Sequence, residues 1–249
     1  MTRHPGSQGL EQWASRPGIV VLDGFHCVKH AVRFGAEIEL LVSTDPAAAR
    51  RLAAELAPDV AGAVASAVPV AAGALAPVRG LRPGSELVGF ARRPVAATPT
   101  GPTVLLDNPR NPGNVGAVVR VAAGFGAAVR STGSVDPWHP TVLRAAAGLH
   151  FATSVARGDD LPGPLIAFDP AGEDLRGVEL PDRAVLAFGA ERHGLSVDVR
   201  ARADRLVAIP MRAGMSSYNL ATSVAVALYH GSLAGGAPAP AAHAGHRGR

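Results

Sequence analysis

The chain has 249 residues, enough for one large domain or two smaller ones with a buried core. An apolar fraction of 47% excludes general disorder, and a single cysteine, Cys27, excludes an internal disulfide and any Cys-x-x-Cys metal or redox site. The formal net charge of +4 is compatible with a partner that carries phosphates, and equally with an ordinary protein surface.

The first 98 residues predict a small α/β module. Its strands are expected at 18–22, 38–43, 68–70 and 87–90, where short apolar runs occur. A helix is expected at 25–34, and Asp45 followed by Pro46 predicts the start of a second helix that continues to Leu56. Residues 1–17 show no such pattern and are expected to be a loose leader.

Residues 91–102 contain three prolines and are interpreted as an inter-domain linker. Arg92 and Arg93 within it, with Arg79 and Arg82 before it, would either contact phosphates or form a solvated basic surface.

From Thr103 onward, apolar runs alternate with helix-like stretches, which is typical of a parallel sheet with both faces covered by helices. The runs lie at 103–106, 127–131, 164–168, 184–189 and 206–210. This pattern by itself predicts an ordinary doubly wound sheet. The low-complexity segment 235–249 is expected to be a disordered tail. Without a signal peptide or a long apolar run, a cytoplasmic protein with no membrane partner is expected.

The first polar segment follows the strand that ends near Asp107. Residues 112–113 (Pro-Gly) are expected to form a turn, and Asn114 to be the N-cap of a helix over 115–125. Arg120 would be the lone charge near the start of that helix, where its guanidinium can grip a phosphate. The alternative is that Arg120 is a solvated surface residue.

The second polar segment follows the strand predicted at 184–189. Gly189 would let the backbone approach a ligand closely, and Glu191 would anchor a local network. His193 has no partner by spacing and is not assigned to catalysis.

The third polar segment follows Ile209 and Pro210. Ser217 is expected to be the N-cap of a helix that runs to about residue 233. A cap accounts for one polar residue but not for the neighbouring Tyr218 and Asn219. The backbone groups of such a loop could bind the edge of an adenine.

Together and in this order, the three segments resemble the motifs of the SpoU-type (TrmH-like) 2′-O-ribose RNA methyltransferases of the SPOUT α/β-knot superfamily. The matching residues are Asn111-Pro-Gly-Asn114-Val-Gly116-Ala117-Val-Val-Arg120, Gly189-Ala-Glu191-Arg-His-Gly194-Leu195, Ile209-Pro210-Met211 and Ser217-Tyr218-Asn219. The match spans residues 103–233. Tyr218 replaces the usual Leu, and the segment 144–148 lacks the Ser often found there, so it is left out of the site.

The resemblance implies an α/β fold in which a trefoil-knotted parallel sheet flanked by helices (99–234) follows a smaller α/β RNA substrate-binding domain (1–98). It implies methyl transfer from S-adenosyl-L-methionine to a ribose 2′-hydroxyl of a tRNA or rRNA, by a homodimer that uses no metal. The implied catalytic residues are Asn114, Arg120, Glu191, Ser217 and Asn219. The positions implied to contact the cofactor are Gly189, Ile209 and Tyr218.

Two other functions remain open. A Rossmann-type methyltransferase or dinucleotide enzyme is suggested by Gly124 and Gly126, but the third glycine of that motif is replaced by Val129, and the segment ends a helix instead of following a strand. A knot-fold protein that binds RNA or assists assembly without catalysis is the second alternative. The presence of a full set of implied catalytic residues favours an enzyme.

Overall fold

The computed structural model describes residues 7–159 and 161–234, which form two sheets with helices packed on them. The start of the predicted leader (1–6) and the predicted tail (235–249) lie outside the described residues.

The smaller sheet belongs to the N-terminal module. Its strands are β1 (Ile19–Asp23), β2 (Ile38–Ser43), β3 (Val68–Pro69) and β4 (Leu87–Arg92). Its order is β1-β4-β2-β3, in which β2 and β3 run parallel and β4 runs antiparallel to both of its neighbours. The helices are α1 (Ser7–Ala14), α2 (Phe25–Arg33), α3 (Pro46–Leu56) and α4 (Ala61–Ala65). The predicted strands and helices of this module are confirmed, including Asp45, whose side chain accepts the N–H of Ala48 at 2.8 Å.

The expectation of a loose leader is wrong for residues 7–14, which form α1. Leu10 is fully buried, and the ring of Trp13 packs against Phe90 with centroids 6.3 Å apart. Leu10, Trp13 and Ala14 have the i, i+3, i+4 spacing of one helix face, so α1 covers the side of the sheet opposite α2.

The predicted linker begins later than expected, because Ala91 and Arg92 belong to β4. Further along this segment, Ala97 is held to the C-terminal module. The backbone O of Ala97 accepts hydrogen bonds from the Arg130 guanidinium at 3.1 Å and from the Ser154 hydroxyl at 2.9 Å. Burial lowers the pKa of Arg130, whose other partners are neutral carbonyl oxygens and the Ser154 hydroxyl.

The larger sheet carries the candidate site. Its strands are β5 (Thr103–Asp107), β6 (Ala128–Ser131), β7 (Val155–Arg157), β8 (Leu165–Asp174), β9 (Val185–Gly189) and β10 (Arg205–Ala208). The order is β10-β8-β9-β5-β6-β7, and every pair is parallel. The helices are α5 (Pro112–Gly124), α6 (Pro140–Ala145), α7 (Val197–Arg202) and α8 (Leu220–Ala234).

Both faces of this sheet are buried, as the apolar strands predict. Val104 and Leu106 point to the face covered by α5, α6 and α8, whereas Leu105 points to the face that holds Val199 of α7. Because the strands are parallel, the carboxyl ends of β5, β8, β9 and β10 all lie along one edge. The expected α/β fold is confirmed, and the trefoil knot stays a prediction. No helix in the described part of the chain has both the length and the apolar character needed to cross a membrane.

The two modules pack through α6 and the turn after it (146–148). The buried carboxylate of Asp23 accepts a hydrogen bond from the Arg144 guanidinium at 2.6 Å. The His30 imidazole donates to the backbone O of Ala147 at 2.7 Å. Gly148 has φ +75°, and an ideal Cβ there would lie 2.3 Å from the backbone O of Cys27. These contacts hold α2 and β1 of the first module against the second.

Candidate active site

Three segments meet at the carboxyl edge of the larger sheet: the loop 108–111 after β5 with the first turn of α5, the loop 190–196 after β9, and the loop 209–219 after β10. These are the three segments that the sequence singled out. They enclose a cavity of about 620 Å³, within the range of small-molecule sites.

The start of α5 differs from the prediction. Its N-cap is Asn111, not Asn114: the Asn111 side-chain oxygen accepts the N–H of Gly113 at 2.8 Å and the N–H of Asn114 at 3.4 Å. Pro112 and Gly113 are the first helical residues and not a separate turn. As a result the Asn114 side chain is not used in capping and is available to the other loops.

Asn114 links the three loops by hydrogen bonds. Its Nδ2 donates to Oε1 of Glu191 at 2.8 Å, and its Oδ1 accepts from Nδ2 of Asn219 at 3.3 Å. The second carboxylate oxygen of Glu191 accepts the backbone N–H of Arg110 at 3.2 Å. Partial burial raises the pKa of Glu191, but the Asn114 amide and backbone N–H groups more than offset this, so the pKa lies below its usual value. The ionised carboxylate therefore orients the Asn114 amide.

The second loop crosses closely over the end of β9. An ideal Cβ on Gly189 would lie 2.0 Å from the carbonyl carbon of Gly194 and 2.2 Å from the backbone nitrogen of Leu195. A glycine is therefore required at position 189 because the backbone of residues 194–195 passes directly over it. The sequence analysis predicted the glycine only from the close approach of a ligand. Ala190 and Gly194 close the loop through reciprocal backbone hydrogen bonds of 3.0 and 2.9 Å.

Asp107, to which the sequence gave no role, ties this loop to β5. It is buried, and its Oδ2 accepts the N–H of Ser196 at 2.6 Å. The available signal was a carboxylate directly after three apolar residues of a strand, a position at which burial needs a partner.

The N-cap of the helix that follows the third loop also differs from the prediction. Helix α8 begins at Leu220, and Oδ1 of Asn219 accepts the N–H of Ala221 at 2.9 Å, so Asn219 and not Ser217 caps the helix. The Tyr218 hydroxyl donates to the backbone O of Pro210 at 3.3 Å. Asn219 thus joins the start of α8 to Asn114, while Ser217 remains exposed beside the cavity.

Every predicted site residue except Arg120 lines this cavity: Asn114, Gly189, Glu191, Ile209, Ser217, Tyr218 and Asn219. The sequence analysis did not predict Phe168, which also lines this cavity. The ring of Phe168 stacks on that of Phe188 with centroids 4.6 Å apart and an interplanar angle of 9°. Apolar strand residues carry no sequence signal that separates a cavity wall from a core position. Among the described residues, no group of three His, Cys, Asp or Glu is arranged to hold a metal ion.

Arg120 is exposed and does not line the cavity of its own chain. It is the ninth of the 13 residues of α5, so the expected position near the helix start is wrong. It lies towards α2, where its charge lowers the pKa of His26 and of Lys29. Within one chain the predicted catalytic residues therefore form two groups, four at the cavity and Arg120 apart from them.

A match to a known protein family identifies the family to which this fold and its three loops belong. Residues 101–229, more than half of the chain, match the SpoU rRNA Methylase family. The chain belongs to this family. The motif-based prediction is thereby confirmed, and the Rossmann-type alternative is wrong.

Relatives of this SpoU-family chain include RNA methyltransferases. A Mycobacterium bovis protein named as an uncharacterized tRNA/rRNA methyltransferase is 31% identical over 209 residues, covering 75% of this chain and 72% of that protein. The tRNA (guanosine(18)-2′-O)-methyltransferase of Thermus thermophilus is 30% identical over 139 residues, covering 51% of this chain and 72% of that protein. Ribosomal RNA small subunit methyltransferase G 2 of Syntrophobacter fumaroxidans is 35% identical over 159 residues, or 59% of this chain, but the match spans only 31% of that longer protein.

A solved structure shares the fold. The SpoU methyltransferase AviRb from Streptomyces viridochromogenes, crystallised in complex with the cofactor AdoMet, superimposes with a TM-score of 0.73 at 23% sequence identity. The superposition covers 89% of this chain and 92% of that one.

Proposed function

We propose that this protein transfers a methyl group from S-adenosyl-L-methionine to the 2′-hydroxyl of a ribose in tRNA or rRNA. The observation that carries this proposal is the convergence of three distant loops on one cavity, joined by the Glu191–Asn114–Asn219 hydrogen bonds. The Thermus relative, named for 2′-O-methylation of a tRNA, and the cofactor bound by AviRb support it.

The cavity fits the proposed cofactor. The stacked Phe168 and Phe188 give it an apolar wall, and the loop backbone at Gly189 and Ile209 offers the N–H and C=O groups that an adenine edge needs. Tyr218 lines the cavity, and its position is fixed by the hydrogen bond from its hydroxyl to the backbone O of Pro210. We assign Gly189, Ile209 and Tyr218 to cofactor binding.

The remaining cavity residues orient the acceptor. When bound, S-adenosyl-L-methionine supplies an electrophilic methyl group on a sulfonium that becomes a neutral thioether. The ribose oxygen must approach that methyl carbon in line with the breaking C–S bond, and its proton passes to solvent water. Ser217 and Asn219 line the cavity and orient the ribose. Glu191 fixes the Asn114 side chain, which in turn accepts a hydrogen bond from Asn219.

Arg120 binds the phosphate beside the target ribose. A guanidinium has a pKa above about 12, so it stabilises negative charge and holds phosphate better than it removes a proton. Because Arg120 lies outside the cavity of its own chain, we propose that it completes the cavity of a second protomer.

The second protomer has a surface to dock on. Val226, Tyr229 and Leu233 of α8 are 39%, 58% and 66% exposed and share the i, i+3, i+7 spacing of one helix face. α8 packs beside α5, so a two-fold interface on this face brings the α5 of each protomer near the other's site. We propose a homodimer in which residues 1–98 bind RNA and residues 99–234 catalyse transfer, acting in the cytoplasm.

The test is a transfer assay with tRNA and rRNA transcripts and isotopically labelled S-adenosyl-L-methionine, followed by digestion to nucleosides and mass spectrometry. A 2′-O-methylated nucleoside is the expected product. Arg120→Ala should lower the rate by about 10²-fold or more while cofactor binding in calorimetry is unchanged. Arg51→Ala, an exposed arginine of α3, is the matched control and should keep full activity.

Two results would contradict the proposal. One is an Arg120→Ala variant as active as the wild type, which would remove that residue from the site. The other is RNA binding without methyl transfer to any transcript, which would favour the non-catalytic knot-fold alternative.

A further inference from the structure

Basic side chains from both modules lie on α2 and α5, two helices that both pack against α6. His26 and Lys29 lie three residues apart on α2, and after burial the charge of Arg120 is among the effects that lower the pKa of each. Lys29 is half-buried, and His26 and Arg120 are exposed. We call these three residues the inter-module basic cluster.

The cluster has a fixed geometry because α6 and its turn separate and hold the two helices. On one side, an ideal Cβ at Gly116 of α5 would lie 2.5 Å from Cβ of Ala145, so α5 and α6 pack in close contact. On the other side, His30 of α2 donates to the backbone O of Ala147, and the Cys27 thiol donates to the backbone O of Leu143 at 3.2 Å. The spacing between Lys29 and Arg120 is therefore set by packing, not by a flexible tether.

Three other basic side chains of the first module are already paired with carboxylates. Arg82 lies 3.7 Å from Asp23, Arg92 lies 3.4 Å from Glu37, and Arg33 binds Asp59 at 2.7 Å. Within residues 7–159 and 161–234, neither Lys29 nor Arg120 takes part in an ion pair. Lys29 is also the chain's only lysine, since arginine supplies the other 23 of its 24 basic side chains.

The electrostatics of the cluster favour an anion. Burial lowers the pKa of Lys29, and Arg33 and Arg120 lower it further against the opposing effect of Asp59. Burial, then Lys29 and Arg120, lower the pKa of His26, so its imidazole is largely neutral at pH 7 and offers one N–H donor. An anion bound here would relieve the repulsion between Lys29 and Arg120 and accept charge-assisted hydrogen bonds.

We infer that His26, Lys29 and Arg120 form one phosphate-binding surface that grips the RNA backbone next to the target ribose. The first module then does not merely tether the RNA; it supplies two of the contacts that place a phosphate against the catalytic helix. This inference rests on the proposed function, because it takes the phosphate to be that of the RNA substrate.

The experiment measures binding of bulk tRNA by Lys29→Gln, with Arg51→Gln as the matched control for loss of one positive charge. Lys29→Gln should weaken binding about tenfold at low salt and make the slope of log K against log salt shallower by about 1. Lys29→Arg should restore most of the binding. Arg51→Gln should change neither quantity, and calorimetry with S-adenosyl-L-methionine should give the wild-type affinity for all three variants.

A second measurement uses the unmodified protein. Because Lys29 is the only side-chain amine, acetylation by an amine-reactive ester can be followed at that residue and at the N-terminus by mass spectrometry. Bulk tRNA should slow the acetylation of Lys29 and leave that of the N-terminus unchanged.

The inference is overturned if Lys29→Gln binds tRNA like the wild type, if Arg51→Gln loses as much affinity, or if tRNA binds without protecting Lys29. Preferential protection by an acidic peptide such as polyglutamate would assign the surface to a protein partner and overturn it as well. These readouts need no methyl transfer, so an inactive protein with a Lys29-dependent tRNA affinity would refute the proposed function alone.

Discussion

At the residue scale, His150 is a buried titratable group outside the candidate site. It is fully buried; its Nε2–H donates to the backbone O of Pro137 at 2.8 Å, and its ring centroid is 5.0 Å from that of Trp138. Its Nδ1 has no hydrogen-bond partner in the described part of the chain. Burial lowers the pKa of His150 to about 4, against the opposing effect of the Pro137 hydrogen bond.

This makes the free energy of unfolding depend on pH. The unfolded chain binds the proton below about pH 6.5, whereas the folded protein binds it only near pH 4. The contribution of neutral His150 to the free energy of unfolding is fully present above pH 6.5. It decreases as the pH falls, and about 3 kcal/mol has been lost at pH 4. Urea unfolding at several pH values should show that His150→Leu flattens this dependence. Exposed His193→Leu is the control, and an equal effect of both substitutions would contradict the assignment.

The site residues show what the sequence could and could not predict at this scale. The polar types and their loops were predictable, because each apolar strand run ends in a cluster of Gly, Pro, Asn or Ser. The caps were assigned to the wrong residues, Asn114 instead of Asn111 and Ser217 instead of Asn219. Several good capping residues precede each helix, and the choice among them depends on tertiary contacts such as Asn114 with Glu191.

At the element scale, one buried ion pair contributes to the contact between the modules. The Asp23 side chain is fully buried, and the Arg144 side chain, 26% exposed, donates to it and to the backbone O of Gly80 at 3.2 Å. Asp23 also accepts the backbone N–H of Arg82 at 3.1 Å and the Ser85 hydroxyl. The segment beginning at Arg144, which the family motifs left without a role, thus connects α6 to the end of β1.

Removal of Arg144 should therefore destabilise the protein. Arg144→Met leaves a buried carboxylate without its strongest partner, and a loss of about 2–3 kcal/mol in the free energy of unfolding is expected. Arg33→Met is the matched control, because the Arg33–Asp59 pair is 37% and 50% exposed and its loss should change the free energy of unfolding much less. Equal losses in urea unfolding would show that the Asp23 ion pair does not hold the modules together.

The elements themselves were predictable where an apolar run was long enough. The structure differs from the prediction where pairing with a neighbour extends or creates a strand that the apolar pattern of the sequence does not indicate. β8 was expected to end at residue 168, but it continues to Asp174 because the segment pairs again with β10 after a register shift. Gly172 permits this, since an ideal Cβ there would lie 2.4 Å from the backbone nitrogen of Val207. The three-residue β7 likewise exists through its pairing with β6.

At the scale of the whole molecule, the order of the strands in the larger sheet could not be predicted from the sequence pattern. Alternating strands and helices predict a parallel sheet, but not that β9 lies between β5 and β8. That order places the loop with Glu191 beside the one with Asn114, and β8, which carries Phe168, on the other side of β9. The same geometry leaves Arg120 outside the cavity, a separation that no spacing in the sequence could reveal.

This separation makes subunit complementation a direct test of the proposed dimer. Arg120→Ala and Asn219→Ala should each be inactive as homodimers, the first through phosphate binding and the second through the link to Asn114. Co-expression with two different affinity tags and tandem purification yields the mixed dimer. If Arg120 acts on the partner's cavity, one site of the mixed dimer carries both substitutions and the other carries none. The mixed dimer should then recover about half of the wild-type activity. If Arg120 acts within its own chain, both sites are defective and no activity returns, and failure to recover any mixed dimer would refute the two-fold assembly itself.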